Sequence, residues 1–292
     1  MSEIVISVIV PTFNSERTVE RLLQNLFSAE TNIPYEVIIV DGNSSDKTID
    51  ICKRFNVKIY YNQKVHAAAG RNVGIANAEG IVCAFIDSDC IPCANWINII
   101  YDEFQANPNV MAIGGKMIAY PPVNAIERFS GKVFLDEIMN FEDSRLVVQT
   151  IGLNNAFITA NCAYKKQHLN ALKGFNDFFS NHGEDIDLYW RSILINSGSM
   201  IYVPNLIVQH SFPNKINKLL KKYFQYGIAS SKLTKVYSKK TINIDYTLYK
   251  KLLIKILSLV FLPRENLLYV LQISSHLAGK IYGSIKFKVF NI

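Results

Sequence analysis

Apolar positions along the first third of the chain alternate between two spacings. Ile4–Val10 is a nearly unbroken β-branched run, the pattern of a strand buried on both faces. Pro11-Thr12-Phe13-Asn14 ends it, and Ser15 stands where it can cap a helix over Glu16–Ala29, whose Val19, Leu22, Leu23 and Leu26 recur at helical spacing. Tyr35–Val40 repeats the strand pattern and closes at Asp41-Gly42-Asn43-Ser44, after which Asp46 is placed to cap a helix carrying Ile49 to Phe55. Val57–Tyr61 predicts a third strand, Ala67–Ala78 a helix despite Gly70 and Gly74, and Ile81–Ile86 a fourth strand ending at Asp87. Strand and helix alternate in this way from residue 4 to about residue 105. The pattern predicts an α/β fold with a mainly parallel sheet wrapped by helices, its ligand groups collected at the carboxyl ends of the strands.

The pattern then loosens. Val110–Gln149 is less regular, with Gly114-Gly115 and Pro121-Pro122 reading as turns. Gly183–Asn196 predicts a helix and Met200–Val208 an extended segment. From Lys215 onward the chain is Lys-rich and helical. Two apolar runs, Leu252–Leu262 and Leu267–Ile273, are separated by Pro263-Arg264-Glu265-Asn266, and neither reaches the ~20 residues of a membrane-spanning helix. They predict an amphipathic hairpin lying in the plane of a membrane surface; the plainer alternative is a helical pair covering the sheet or forming a dimer interface. The division expected is a body over residues 1–212 and a basic helical region over 213–292.

Composition sharpens this division. At 292 residues, 49% hydrophobic and 19% charged, the chain can bury a core. From Ser211 to Ile292 there are fourteen lysines and one arginine against Asp245 and Glu265, a balance of +13 that leaves −6 for the remainder. A basic tail on an acidic body points to an anionic partner, either nucleic acid or an anionic membrane surface, and the tail's apolar runs suit lipid better. The five cysteines are odd in number and form no framework, which argues for a reducing compartment. Cys90 and Cys93 make one CxxC without a second pair at zinc-site spacing, and chance or packing accounts for it. The opening Met-Ser-Glu-Ile has no basic stretch followed by a long apolar core, so the expected location is cytoplasmic, at the inner face of the cell membrane.

Three polar clusters fall at element ends. Asp41 follows a buried strand, where a carboxylate can accept hydrogen bonds from a ribose or a base edge, or simply hold a turn. Asp87-Ser88-Asp89 places two acids one residue apart at the mouth of an apolar strand, an arrangement that repels itself unless a cation or basic group offsets it. Oxygen donors of this kind suit Mg2+ or Mn2+. Gly183-Glu184-Asp185-Ile186-Asp187 opens a helix; the macrodipole favours carboxylates there but does not require all three. His210, after an extended apolar run, is a metal-ligand or structural histidine.

Taken in order, these segments resemble a known family. Ile6–Asn14, Val37–Thr48, Ala69–Ala76, Phe85–Asp89 and Gly183–Asp187 look like the GT-A fold of the family 2 glycosyltransferases, a Rossmann-like nucleotide-diphospho-sugar transferase fold, over roughly residues 4–212. The resemblance implies that Pro11, Thr12, Asn14 and Asp41 line a nucleoside pocket, with Arg71 near the nucleotide. It also implies that Asp87 and Asp89 form a DxD motif, with Asp89 the more direct ligand of Mn2+ or Mg2+ and Asp87 nearer the ribose or the metal. Asp185 becomes the catalytic base, steadied by Glu184, and His210 a further metal ligand. Two features depart from the pattern. Asp41-Gly42 stands where a paired Asp is common, and the Gln-x-x-Arg-Trp signature of processive members is not visible, since Trp190-Arg191 follows Asp185 too closely. Single-sugar addition with inversion, from a nucleotide-sugar donor to a glycan or lipid-linked acceptor, is the activity implied. The irregular segments 114–149 and 154–162 are expected to contact that acceptor. Rival classes are a sugar nucleotidyltransferase, which would want a Gly-rich basic loop after the first strand, and a non-catalytic scaffold at a membrane.

Overall fold

The computed structural model describes residues 4–138, 146–148, 156–180, 182–195, 200–237, 246–258 and 263–290. They divide into two compact units: Met1–Tyr120 with Phe134–Ser180 and Glu184–Ser211, and Pro121–Val133 with Asn181–Gly183 and Phe212–Ile292.

The first unit is built on β1 (Ile6–Thr12), flanked in parallel by β2 (Tyr35–Asp41) and β4 (Val82–Phe85), with β3 (Lys58–Tyr61) parallel to β2. The β-branched run explains the central place of β1: every residue but Pro11 is buried, as a strand covered on both faces requires. Helices α1 (Val19–Phe27), α2 (Thr48–Cys52) and α3 (Ala67–Asn77) make the connections. Val19, Leu22, Leu23 and Leu26 are the buried face of α1, as their spacing predicts. Asp46 accepts the amide hydrogen of Thr48 at the start of α2. Ser15 does not cap α1. Its hydroxyl instead lies 2.8 Å from that of Ser88, joining the loops after β1 and β4.

Beyond β4 the sheet becomes mixed. Its order is β3-β2-β1-β4-β8-β6-β9-β5, where β5 is Cys90–Pro92, β6 Ala112–Ala119, β8 Cys162–Lys165 and β9 Met200–His210; β7 (Leu146–Val148) also pairs with β9. Strand β8 runs antiparallel to β4 and to β6, β6 runs parallel to β9, and β5 runs antiparallel to β9. Helices α4 (Trp96–Ala106), α6 (Lys166–Ala171) and α7 (Glu184–Ile195) complete the unit.

The segment expected to be irregular in fact contains β6 and α5 (Ala125–Ile138). Gly114-Gly115 is not a turn but the interior of β6. A Cβ at Gly114 would run into the Phe157 ring, and one at Gly115 into the Leu206 carbonyl, so glycine marks close approach here. The β6–β9 register shifts between Gly115 and Lys116, where the partner jumps from Val203 to Ile207. Asn161 holds this offset. Its amide donates to the carbonyls of Lys116 (2.9 Å) and Leu206 (2.7 Å), and its oxygen accepts the Trp96 indole hydrogen at 2.9 Å. Of the segments expected to meet the acceptor, residues 139–145, 149, 154 and 155 lie outside the described residues.

The second unit is helical: α8 (Ile216–Tyr237), α9 (Tyr246–Leu257) and α10 (Pro263–Phe287), with a small core that includes Phe129, Val133, Leu219 and Tyr223. Helices α8 and α10 pack backbone to backbone. A Cβ at Gly227 would strike the His276 carbonyl, and one at Gly279 the Phe224 carbonyl. Pro263-Arg264-Glu265-Asn266 is not a turn between two apolar runs but the first turn of α10, the position where proline's missing N–H costs nothing. Residues 259–262, the end of the first apolar run, lie outside the described residues.

Replacing Asn161 by the isosteric leucine removes these three hydrogen bonds and leaves the buried Trp96 indole N–H without this acceptor. Asn161→Leu is expected to destabilise the sheet unit by at least about 3 kcal/mol, read as a lowered denaturant midpoint at unchanged slope.

Candidate active site

The parallel register brings the carboxyl ends of β1, β2 and β4 to one edge of the sheet, with Thr12 directly beside Asp41. Asp41 is 1% exposed, and its carboxylate accepts hydrogen bonds from Thr12 Oγ1 (3.0 Å), the Ser44 amide (2.8 Å) and Ser44 Oγ (2.6 Å). Asn14 adopts a left-handed backbone (φ 49°) that turns its side-chain oxygen onto the Ser45 amide at 2.9 Å. Pro11 is half-buried at the end of β1, and Phe13 is exposed beyond it. Pro11, Thr12, Asn14 and Asp41 are thus contiguous along this edge. The Ser44 contacts that hold Asp41 had no signal in the sequence beyond turn composition.

Arg71 organises the rest. His66 caps α3 by accepting the Ala69 amide at Nδ1, and the first turns of the helix are otherwise small residues, so the Arg71 stem is carried inward. Its side chain is 3% exposed. One Nη donates to Asp87 Oδ1 at 2.7 Å and the other to Glu184 Oε1 at 2.8 Å. Phe175 lies under the guanidinium carbon, 5.7 Å from ring centre. The fork expected at the nucleotide therefore bridges two carboxylates, tying the turn after β4 to the first turn of α7.

The three acids of α7 separate by partner. Glu184 goes to Arg71, and Asp187 goes to Arg191 (2.7 and 2.8 Å), whose guanidinium also donates to the carbonyls of Leu172 and Gly174. Trp190 packs against the core, so Trp190-Arg191 is structural. Asp185 is half-buried and accepts the Ile186 amide at 2.9 Å. Desolvation and then the adjacent Glu184 carboxylate push its carboxyl up to about 7, against the pull of that amide and of Arg71. The effect of Glu184 on Asp185 is therefore electrostatic: its charge adds to burial in raising its neighbour's pKa.

On the other side of Asp87, Asp89 Oδ1 lies 3.6 Å from His210 Nε2. The β5–β9 pairing puts Cys90 opposite His210, and donor atoms of Asp89, Cys90 and His210 all fall within 4.8 Å of one another. Carboxylate, imidazole and thiol in that space form a donor set that fits a divalent cation. Asp87, with its oxygen engaged by Arg71, stands apart from that set. Nothing in the chain order suggested Cys90, because its partner is 120 residues away.

Comparison with known proteins gives the family and the fold. The family model "Glycosyl transferase family 2" matches residues 7–171, more than half of the chain. The chain belongs to glycosyl transferase family 2. Among similar proteins is the dolichyl N-acetyl-alpha-D-glucosaminyl phosphate 3-beta-D-2,3-diacetamido-2,3-dideoxy-beta-D-glucuronosyltransferase of Methanococcus voltae, 25% identical over 77% of this chain and 72% of that one. Glycosyltransferase AglE of Haloferax volcanii is 26% identical over 76% of this chain and 71% of its own. Among solved structures, the mannosyltransferase PcManGT of Pyrobaculum calidifontis, in complex with GDP-Man and Mn2+, superposes with a TM-score of 0.66 at 15% identity, over 95% of this chain and 86% of that one. The fold is therefore GT-A, and this family 2 member is a glycosyltransferase.

Removing the Arg71 bridge from this family 2 enzyme would leave the buried Glu184 and the half-buried Asp87 without their cation. Arg71→Ala is expected to cost about 3–5 kcal/mol, with Arg71→Lys intermediate because one ammonium does not reproduce the fork. Thermal unfolding of the two variants beside wild type checks the order.

Proposed function

We propose that the enzyme moves a single sugar from a nucleotide-diphosphate sugar to an acceptor hydroxyl with inversion, and that Asp185 is the base. The observation that carries this reading is the Arg71 bridge. One guanidinium ties the acid before Asp185 to the acid two residues before Asp89, so a basic carboxylate and a metal donor belong to one charged group. Asp185 in its ionised form takes the acceptor hydroxyl proton as that oxygen bonds to the anomeric carbon. The bond from that carbon to the diphosphate breaks, and the leaving group keeps the electron pair. Attack from the face opposite the leaving group inverts the centre. General-base help of this kind contributes ~10²–10⁴-fold.

Asp89 and His210 would hold Mn2+ or Mg2+, which when bound supplies positive charge beside the diphosphate as it departs. Asp41, with Thr12, Pro11 and Asn14, would line the nucleoside side, and Asp87, fixed by Arg71, would stand between nucleoside and metal. The glycan or lipid-linked class of acceptor is supported by the relative whose name specifies a dolichyl phosphate-linked sugar.

The basic helical unit would bring the enzyme to an anionic membrane surface at the inner face of the cell membrane. Along α9, Leu253, Ile254, Ile256 and Leu257 are each at least 45% exposed, beside exposed Lys250 and Lys251. Apolar side chains open to solvent next to lysines complement an anionic headgroup layer over its acyl chains. Among the described residues, no helix is long and apolar enough to cross a membrane.

Asp185→Asn is expected to lower turnover by ~10²–10⁴-fold with donor affinity nearly unchanged. Because the base works ionised and its carboxyl sits near 7, kcat/KM should rise with pH through about 7 and level off above it. Near wild-type turnover in Asp185→Asn would move the base elsewhere. For the membrane, the variant Leu253→Glu/Leu257→Glu should fold normally yet bind phosphatidylserine vesicles at least about tenfold more weakly, each buried side chain being worth ~1.5–3 kcal/mol. Wild-type chain that ignores such vesicles and self-associates instead would refute the lipid assignment.

A further inference from the structure

β5 is three residues long and pairs antiparallel with the end of β9, setting Cys90 directly opposite His210. Residues opposed in an antiparallel pair send their side chains to the same face. Cys90 Sγ lies 4.0 Å from Asp89 Oδ1, the same oxygen that is 3.6 Å from His210 Nε2. Cys90 is 1% exposed, and the Phe134 ring lies nearly parallel to the His210 imidazole at 6.4 Å, so the sulfur is withdrawn from water and the imidazole has apolar surface beside it.

We propose that Cys90 is a third protein donor beside Asp89 and His210, forming a thiolate–imidazole–carboxylate set that takes Zn2+ or Co2+ in preference to Mg2+. The inference rests on the reading of Asp89 and His210 as metal donors and adds the sulfur to it. Mg2+ seeks hard oxygens in near-ideal octahedra, whereas a thiolate is a soft donor that selects Zn2+ and its neighbours. Binding exchanges the thiol proton for the cation. Three protein donors are also the number typical of catalytic zinc sites, where a further position is left for water or substrate. Cys93, the other half of the CxxC, is not part of this set: its Sγ faces the Asn205 carbonyl at 3.9 Å.

The full chain, freed of metal, is titrated with CoCl2 alone and with added UDP or GDP, and followed by absorption. The expected result is a near-ultraviolet thiolate-to-cobalt charge-transfer band that persists in Cys93→Ser and disappears in Cys90→Ser. Zn2+ affinity, measured by competition, should fall in Cys90→Ser by at least the ~10–100-fold that loss of an outer-shell partner alone costs. Visible cobalt bands in wild type without the charge-transfer band would overturn the sulfur donor and leave Asp89 and His210 as ligands. A band that survives Cys90→Ser would overturn it as well. No cobalt binding under any condition would overturn both readings. The wild-type spectrum decides the matter even if the variant fails to fold.

Discussion

One buried guanidinium sets the electrostatics of this enzyme. Arg71 has two carboxylates on its fork and a third, Asp185, next in chain to one of them. A single positive charge cannot balance three negative ones in a site largely withdrawn from water. Burial first, and then the adjacent Glu184 carboxylate, raise the Asp185 carboxyl to about 7. A carboxyl poised near neutrality is thus a consequence of how α3, the β4 turn and α7 are tied together, and the same tie fixes the geometry of the turn that carries Asp89.

The parts of the fold that were legible in the sequence are those in which one physical requirement dominates. Ile6–Val10 and Val37–Val40 had to be strands because a β-branched run buried on both faces has few other homes. Val19, Leu22, Leu23 and Leu26 marked the inner face of α1 for a similar reason. Where two requirements compete, local pattern misleads. Gly114-Gly115 carries turn composition, yet the pair serves close approach within β6, a demand set by Phe157 and Leu206 from distant segments. Pro263 read as a break and instead begins a helix, since proline is well suited to a first turn.

The acidic residues of the site were visible as types at element ends, but their partners were not. That Arg71 would serve Asp87 and Glu184, or that Asp187 would belong to Arg191, follows from side chains meeting across a sheet edge. Cys90 was hidden more deeply. It gained a neighbour only because β5 turns back antiparallel on β9, a pairing that leaves no periodic trace in three residues. From Ser211 onward the fourteen lysines gave a net charge at once, whereas the Gly227–Gly279 contact, which lets α8 and α10 touch along their backbones, depends on tertiary packing.

The excursion of β9 has a bearing on how such chains are compared. Pro204, Asn205 and Leu206 face no residue of β6, because the partner steps from Val203 to Ile207. Side chains alternate along a strand, so a one-residue deletion that the excursion did not absorb would turn His210 to the opposite face of the sheet. The histidine's reach to Asp89 is therefore a matter of segment length as much as of identity. Its counterpart in a homologue has to be found by matching hydrogen-bond ladders on either side of the gap, since counting positions from the strand's start would assign the role to the wrong residue.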